Sequence, residues 1–358
     1  MFPLILFISA CIIAIMLFMV RSKTKMKKVV PESIASLQKI SIGGQDQWLL
    51  IRGRSVNNPV LLFLHGGPGE TEWPFVRHYN SKLEEYFIIV YWEQRGAGKT
   101  YTSKTKNMNV AQFVKDTHDV IQFLRKQFNQ DKVFIIGHSW GSLIGTLSVQ
   151  KYPELFYAYI GIGQYVSGKE NEAISYRFVM EAAAKKNNQK AIQELKKINC
   201  PEPYGTIDSK GNWFKSLMVQ RKWLFKFGGC VCENTNKPFW IKIFLQAPEY
   251  SKLDLIKREL GYIFSIKKLW PEIMEYDLIK QVPRLEVPVF IIAGRHDYNT
   301  PFELAEKYYH SLSAPQKELI WFDNSAHSPI YEEAEEFNQV LIEKVRPIAN
   351  QMTVEKGI

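Results

Sequence analysis

Short, nearly continuous apolar runs alternate along the chain with stretches in which apolar residues recur every three or four positions. The runs cover residues 60–64, 87–91, 133–136, 159–162, 289–292 and 318–322. Runs of this length are typical of strands in a parallel sheet that is covered on both faces. Two further strands, at residues 37–42 and 48–52, flank a Gly-Gly pair and predict a hairpin that opens the sheet. The pattern therefore predicts eight strands.

Helical periodicity fills the segments between these runs. The clearest stretch is residues 110–128, and further helices fit residues 75–86, 302–312 and 331–346. Alternating strands and helices predict a doubly wound α/β core. The alternation stops between the sixth and seventh strands, where residues 166–283 are rich in aromatic residues and lysine. That segment, with a helix at about 173–186, predicts a helical cap above the carboxyl ends of the strands, where ligands bind in such sheets.

This reading divides the chain into five parts. Residues 1–21 are the predicted membrane anchor and residues 22–33 a basic linker. The core is predicted to comprise residues 34–165 and 284–350, with the cap at residues 166–283 inserted between its two parts.

A G-x-S-x-G motif joins the third apolar run to the helical pattern that follows it. Gly137 and Gly141 flank Ser139, and only very small neighbours fit a serine held on a sharp turn between strand and helix. Such a turn lifts the serine hydroxyl clear of the sheet edge. It also places the Trp140 backbone N–H at the start of the helix, where an oxyanion can be bound. Ser139 is therefore the candidate nucleophile.

An acid and a histidine follow the last two predicted strands in the order that this chemistry needs. Asp297 lies just after the seventh strand and His327 just after the eighth. Asp323 is a rival acid, but it is only four residues from His327. The order Ser139, Asp297, His327 matches that of an α/β-hydrolase, in which the histidine takes the serine proton and the acid orients the histidine.

The segment His65-Gly66-Gly67-Pro68-Gly69 follows the third strand directly. Glycines let the backbone approach a substrate oxygen closely, and the loop after this strand supplies one oxyanion donor in α/β-hydrolases. We expect the Gly67 N–H to act beside that of Trp140.

The N-terminus combines an apolar run with a basic flank. Residues 2–20 carry no charged side chain, and as a helix they would span ~28 Å, close to the ~30 Å of a bilayer core. The basic cluster of residues 21–28 comes after this run, whereas a cleaved signal peptide has it before. The positive-inside rule then predicts a single-pass membrane protein with a cytoplasmic catalytic domain. A lipoprotein-like box ending at Cys11 is a weaker alternative, because the apolar run continues beyond it.

Charge and cysteine content bear on which ligands and partners the protein is expected to bind. The net charge is +10, but half of it lies in residues 21–28, and no basic patch that predicts nucleic-acid binding stands out elsewhere. Cys200, Cys230 and Cys232 form no disulfide framework and do not match zinc-ligand spacing. The sequence predicts no metal, no cofactor and no obligate protein partner.

Together these motifs resemble the proline iminopeptidase family of α/β-hydrolases, serine peptidase family S33. The resemblance is carried by HGGPG at 65–69, WEQRGAG at 92–98, GHSWGS at 137–142 and GRHD from 294 with Pro301, and it covers the core. It implies release of an N-terminal residue, with cap glutamates binding the substrate amine beside a small apolar proline pocket. Glu93 and His138 depart from the family's usual aspartate and glycine, and the cap does not align. Glu233 and Glu249 are the cap carboxylates considered for the amine.

Three functions remain at this stage. The leading hypothesis is a membrane-anchored serine aminopeptidase that acts on short peptides through an acyl-enzyme. The second is a membrane-associated ester or lipid hydrolase with the same triad, which would take a small acyl substrate into a mostly apolar pocket. The third is a binding protein on a hydrolase scaffold, because a fold alone does not establish function.

Overall fold

The computed structural model describes residues 32–198, 212–232 and 237–350 of the 358-residue chain. The anchor predicted over residues 1–21 and most of the basic linker lie outside the described residues. Within the described ranges, no helix combines the length and the apolar character needed to cross a bilayer.

An eight-stranded sheet forms the centre of the protein. Its strands are β1 Ile34–Ile42, β2 Gln45–Gly53, β3 Val60–Leu64, β4 Ile88–Glu93, β5 Val133–His138, β6 Phe156–Ile162, β7 Val289–Gly294 and β8 Lys317–Phe322. They lie in the order β1-β2-β4-β3-β5-β6-β7-β8. The β1–β2 and β2–β4 pairs are antiparallel and all the other pairs are parallel. The predicted eight-stranded, mostly parallel sheet of an α/β-hydrolase is confirmed.

Apolar side chains on both faces of the sheet explain its uninterrupted strands. Along β3, Leu62 and Leu64 belong to one buried cluster and Leu61 and Phe63 to another. This alternation follows from the two-residue period of a strand. Each cluster is completed by helices, so every central strand is covered on both sides.

Seven helices of the described part of the chain pack around the core. They are α1 Trp73–Asn80, α2 Val110–Phe128, α3 Trp140–Lys151, α10 Phe302–Ser311, α11 Pro329–Glu332 and α12 Ala334–Val340, together with the short α9 Leu278–Gln281. Two predictions are longer than the helices observed. The helix predicted at residues 75–86 ends at Asn80 and continues as a 3-10 turn over Ser81–Glu85. The helix predicted at residues 331–346 is divided after Glu332 and ends in a π-helical turn over Leu341–Val345.

Helices also fill the segment between β6 and β7. They are α4 Gly168–Lys185, α5 Gln189–Lys197, α6 Asn212–Lys226, α7 Lys237–Gln246 and α8 Lys252–Ile273. A capping box formed by Ser251 and Asp254 begins α8. A Cβ at Gly261 would lie 2.5 Å from the Gly96 carbonyl oxygen, so α8 packs directly on the loop that follows β4. These helices cover the carboxyl edge of the sheet, although the boundaries proposed for the cap remain a prediction.

Candidate active site

The candidate nucleophile lies on a strained turn between β5 and α3. Ser139 has φ of +54° and ψ of −119°, a backbone conformation that costs a non-glycine residue free energy. A Cβ at Gly137 would lie 2.3 Å from the Gly141 carbonyl oxygen, and one at Gly141 would lie 2.1 Å from that of Leu64. Gly137 therefore allows the end of β5 to lie close to the start of α3, and Gly141 allows α3 to pack against the end of β3. Ser139 lines a cavity of about 1600 Å³.

The candidate acid and base lie on the loops after β7 and β8. Asp297 Oδ2 and His327 Nδ1 are 2.9 Å apart, and both side chains are almost completely buried. The other carboxylate oxygen of Asp297 accepts the backbone N–H groups of Asn299 at 2.8 Å and Thr300 at 3.0 Å. A carboxylate held in this way fixes the histidine ring and favours the proton on Nδ1.

Sequence reasoning missed Thr300. Its hydroxyl donates to Asp297 Oδ2 at 2.9 Å and lies 3.1 Å from His327 Nδ1. The position three residues after Asp297 is a frequent one for a side chain that closes a loop, but nothing in the sequence marks this threonine. It fixes the acid and the base relative to each other.

The rival acid, Asp323, does not reach the histidine. Its side chain is 79% exposed and pairs with Arg295 at 3.2 Å. Asp297 is the acid that contacts His327.

The glycine-rich loop after β3 packs against the turn that holds Ser139. A Cβ at Gly66 would lie 3.2 Å from the Ser139 Cβ. The Gly66 N–H donates to Glu72 Oε2 at 2.8 Å, so its direction is fixed by the protein itself. The next residue, Gly67, has φ of +111°, a conformation that favours glycine.

Gln94 connects this loop to the start of α3. Its backbone N–H donates to His65 Nε2 at 3.1 Å, and its side-chain amide donates to the His65 carbonyl at 3.2 Å. The Gln94 side-chain oxygen accepts the Trp140 indole N–H at 2.9 Å. The two segments that carry the candidate oxyanion donors are therefore tied together by one residue.

A buried ion pair lies directly behind the candidate triad. His138 Nδ1 and Glu72 Oε1 are 2.7 Å apart, and His138 Nε2 donates to the His327 carbonyl at 3.0 Å. Burial alone would lower the pKa of His138, but the Glu72 carboxylate raises it to about 9. Burial likewise opposes ionisation of Glu72, and His138 outweighs this and lowers its pKa. The pair is charged at neutral pH, and it joins the loop of Gly66 to the loop of His327.

The cavity has a volume of about 1600 Å³ and several carboxylates on its wall. Glu249, considered from the sequence for amine binding, is not one of them, because it is buried and accepts a hydrogen bond from Arg77. Glu233 lies outside the described residues. Within the described part of the chain, no three histidine, cysteine or acidic side chains lie close enough together to hold a metal ion.

Besides Glu72 and Glu259, which pair with His138 and Arg258, three carboxylates on the cavity wall were missed from the sequence. Glu172 is almost completely buried and forms a two-point pair with Arg221, which neutralises its charge. Glu332 accepts backbone N–H groups from Cys232, Ala326 and Ser328, and burial raises its pKa.

The third of these carboxylates, Glu70, lies three residues after Gly67. It lines the cavity with a side chain that is 43% exposed, and Arg258 lies 3.5 Å away. Burial among the surrounding groups raises its pKa, and Arg258 opposes that effect.

Comparison with known proteins gives the family. The model of the α/β-hydrolase fold family matches residues 59–193. The chain is 34% identical over 328 residues to the Bacillus subtilis (strain 168) protein named "Probable aminopeptidase YbaC", which covers 89% of this chain and 99% of that protein. It is 27% identical to the proline iminopeptidase of Heyndrickxia coagulans, covering 79% of this chain and 88% of that one.

Solved structures share the fold across different activities. The proline iminopeptidase of Mycobacterium smegmatis superposes with a TM-score of 0.59 at 20% identity, covering 86% of this chain and 97% of that one. An esterase from Exiguobacterium antarcticum superposes with a TM-score of 0.58 at 18% identity, covering 86% of this chain and 99% of that one. At such identities the likeness shows the fold alone. The level of identity to the Bacillus protein over nearly its whole length establishes that the chain is an enzyme of the proline iminopeptidase-like family of α/β-hydrolases.

Proposed function

We propose that this protein is a serine aminopeptidase that releases an N-terminal residue through an acyl-enzyme. The single observation that carries the proposal is the hydrogen bond between Asp297 and His327 beside a cavity that Ser139 also lines. In this mechanism His327 takes the Ser139 proton as the hydroxyl attacks the carbonyl carbon. Asp297 stabilises the imidazolium that forms.

The tetrahedral oxyanion is held by the backbone N–H groups of Gly67 and Trp140. Two features support this assignment. Glu72 already occupies the neighbouring Gly66 N–H, and the Trp140 N–H belongs to the first turn of α3, where no intrahelical acceptor exists. His327 then returns its proton to the leaving amine, and water activated by the same histidine releases the acyl group.

Recognition of a free N-terminus needs a carboxylate that is accessible from the cavity and not already neutralised at close range. Glu172 is neutralised by Arg221, and the Glu332 carboxylate accepts three backbone N–H groups. Glu70 is the most accessible of the three, and its cation partner is 3.5 Å away, so we assign the substrate ammonium to Glu70. This position lies in the core, whereas the family resemblance places amine-binding glutamates in the cap.

The test compares alanyl, leucyl and prolyl p-nitroanilides with their N-acetylated counterparts. We expect only the free amines to be cleaved and Ser139→Ala to abolish cleavage. Glu70→Gln should lower kcat/KM for the free amines about 10- to 100-fold, the range for losing one charge-assisted hydrogen bond. Glu259→Gln is the matched control, because Glu259 also lines the cavity and also pairs with Arg258. Equal cleavage of free and acetylated substrates would refute the aminopeptidase assignment.

A second candidate, a carboxylic ester or lipid hydrolase, is favoured by the largely apolar wall of the cavity. Ser139-dependent cleavage of acyl esters without cleavage of any free-amine arylamide would support it. Failure of Ser139 to react with a fluorophosphonate would instead support a binding protein on the same scaffold.

We also propose that residues 1–21 anchor the protein in a membrane with the catalytic part on the cytoplasmic side, which the sequence alone supports. The first described residue, Glu32, accepts a hydrogen bond from the Val56 N–H at 2.8 Å, at the amino edge of the sheet. The cavity lies at the opposite edge, so an anchored molecule would open its cavity away from the bilayer. Digestion of membrane vesicles by an added protease tests the orientation, and protection of the catalytic part in inside-out vesicles would contradict it.

A further inference from the structure

The cavity is larger than the release of one small residue requires. Its volume is about 1600 Å³, whereas pockets for small molecules are typically about 300–1,000 Å³. A prolyl group at Ser139 would leave most of this space unfilled. Unfilled apolar volume contributes no contacts to binding, so the shape of the cavity indicates a larger substrate.

The additional space is bounded by apolar side chains of the cap. Helices α6, α7 and α8 contribute Leu217, Leu224, Trp240, Phe244, Ile266 and Trp270 to the wall. Side chains of this kind gain most from burying alkyl or aromatic groups, at about 25 cal/mol for each Å² removed from water. The polar groups described above lie at the other end, around Ser139 and Glu70.

The apolar surface continues to the outer rim of the cavity. Ile241, Ile256 and Leu260 line the cavity and are 38%, 39% and 50% exposed. Leu253 and Ile263 extend the same face of α8. Of the large apolar side chains that are exposed in the described part of the chain, Val56 is the one that lies elsewhere. Clustered exposure of this kind marks a surface that a ligand covers.

The wall near His327 indicates on which side of the scissile bond this apolar group lies. The backbone N–H of His327 donates to the Cys230 carbonyl at 3.2 Å, and Cys230 and Val231 line the cavity. This cap segment therefore packs against the loop of His327, the residue that protonates the leaving group, and we take the leaving group to lie beside it. The open apolar wall of α7 and α8 is left for the acyl side.

We infer that the substrate carries a long, linear apolar side chain on its N-terminal residue, and that this chain runs from Ser139 to the rim at Ile256 and Leu260. The inference rests on the proposed aminopeptidase function and specifies its substrate class. A prolyl group is then a poor substrate, because it reaches only the inner end of the cavity.

The test uses the full-length protein and a series of p-nitroanilides whose N-terminal residues are alanine, 2-aminobutyrate, norvaline, norleucine and 2-aminooctanoate, with proline alongside. We expect kcat/KM to rise about fourfold for each added methylene, the factor that corresponds to burying one CH₂ group. The prolyl compound should fall below the norleucyl one. A flat or falling series, or a prolyl compound that exceeds all the others, would overturn the inference.

Substitutions at the rim of the cavity test where the apolar side chain of the substrate lies. In Ile256→Ser and Leu260→Ser, the ratio of kcat/KM for the aminooctanoyl and alanyl compounds should fall about tenfold. Val56→Ser is the matched control, since Val56 has the same 39% exposure as Ile256 but lies at the opposite edge of the sheet. Equal effects of the three substitutions on this ratio would also overturn the inference.

Two further arms separate this inference from the proposed function. Calorimetric binding of the same compounds to Ser139→Ala should tighten with chain length, and this readout does not depend on turnover. If the norleucyl compound and its N-acetylated form were cleaved at equal rates, the aminopeptidase function would be refuted. A dependence of binding on chain length would then still support the apolar-chain inference. Binding that is independent of chain length would refute the apolar-chain inference alone.

Discussion

Replacing Glu72 with glutamine removes the negative partner of His138 and leaves one side-chain oxygen where two accept hydrogen bonds, from His138 Nδ1 and from the Gly66 N–H. The two side chains are 4% and 7% exposed, so solvent does little to screen their attraction. The pKa of His138 is raised from 6.5 to about 9 by Glu72 against the opposing effect of burial. A shift of this size corresponds to about 3 kcal/mol of folding free energy, since one pKa unit is worth about 1.4 kcal/mol.

The sign of this contribution fixes its pH dependence. Below pH 6.5 the histidine is charged in both the folded and the unfolded chain, and the contribution from its raised pKa is complete. As the pH rises to about 9, the unfolded chain releases the proton while the folded chain keeps it, so the contribution is lost progressively. The lowered pKa of Glu72 sets the acid limit, because the pair is lost as the pH falls through that value.

Urea unfolding of the wild-type protein and of Glu72→Gln at pH 6.5 and 9.5 measures the effect. We expect a difference of about 3 kcal/mol in unfolding free energy at pH 6.5 and a much smaller one at pH 9.5. Glu70→Gln is the control, because that side chain is 43% exposed and should change stability by no more than about 0.5 kcal/mol. Equal differences for Glu72→Gln at the two pH values would refute the reasoning.

The remaining predictions concern the candidate base, the candidate acid and the last residue of β4, Glu93. A Cβ at Gly163 would lie 2.8 Å from the ring of His327, the candidate base, so Gly163→Ala should lower kcat at least tenfold. Gly44→Ala is the control: Gly44 also has a positive φ but no close neighbour, so this substitution should leave kcat unchanged in the same assay. Asp297→Asn should lower kcat about 10⁴-fold, as in other triads, and Asp323→Asn less than twofold in the same arylamide assay. Burial raises the pKa of Glu93 to about 8, so the unfolding free energy of the wild-type protein should fall as the pH rises from 4.5 to 8. The unfolding free energy of Glu93→Gln should fall less over the same range. Equal falls for the two proteins in urea unfolding would contradict this reasoning.

Much of the core could be predicted because the sequence patterns that indicate its strands and turns each lie within a short stretch of the chain. Each central strand is a buried apolar run, and each element of the candidate site follows a strand at the carboxyl edge. Sequence order alone placed Asp297 and His327 on neighbouring loops, and the structure gives a hydrogen bond between them. Local patterns suffice where one strand or one turn determines the position of a side chain.

Helix ends near the site were mispredicted because tertiary contacts override helical periodicity there. The Glu332 carboxylate accepts the N–H groups of Ala326 and Ser328, and the Glu333 carboxylate accepts the Ser325 hydroxyl and the Asn324 N–H. The backbone at Glu333 leaves the helical region, with φ of −128° and ψ of 54°. The helix is thus divided at the two residues that hold the loop of the candidate base, which apolar spacing does not record.

The polar support of the site could not be predicted because it joins residues that are far apart in the chain. Glu72 and His138 are separated by 66 positions, and His138 was marked in the sequence only as a departure from the family motif. The same contact gives that departure a physical role, since a glycine there would leave Glu72 without its cation. Pairing of this kind is a property of the folded chain and has no periodic signature.

The HGGPG and QRGAG motifs form one structural unit in this fold. Burial lowers the pKa of His65 to about 4, so its ring is neutral at neutral pH and Nε2 can accept the Gln94 N–H. Gln94 in turn accepts the Trp140 indole N–H and so links both backbone segments assigned to the oxyanion. A charged His65 would lose its acceptor at Nε2 and release Gln94 from the loop. The two motifs together therefore specify the geometry of the candidate oxyanion site, whereas G-x-S-x-G specifies only the serine turn.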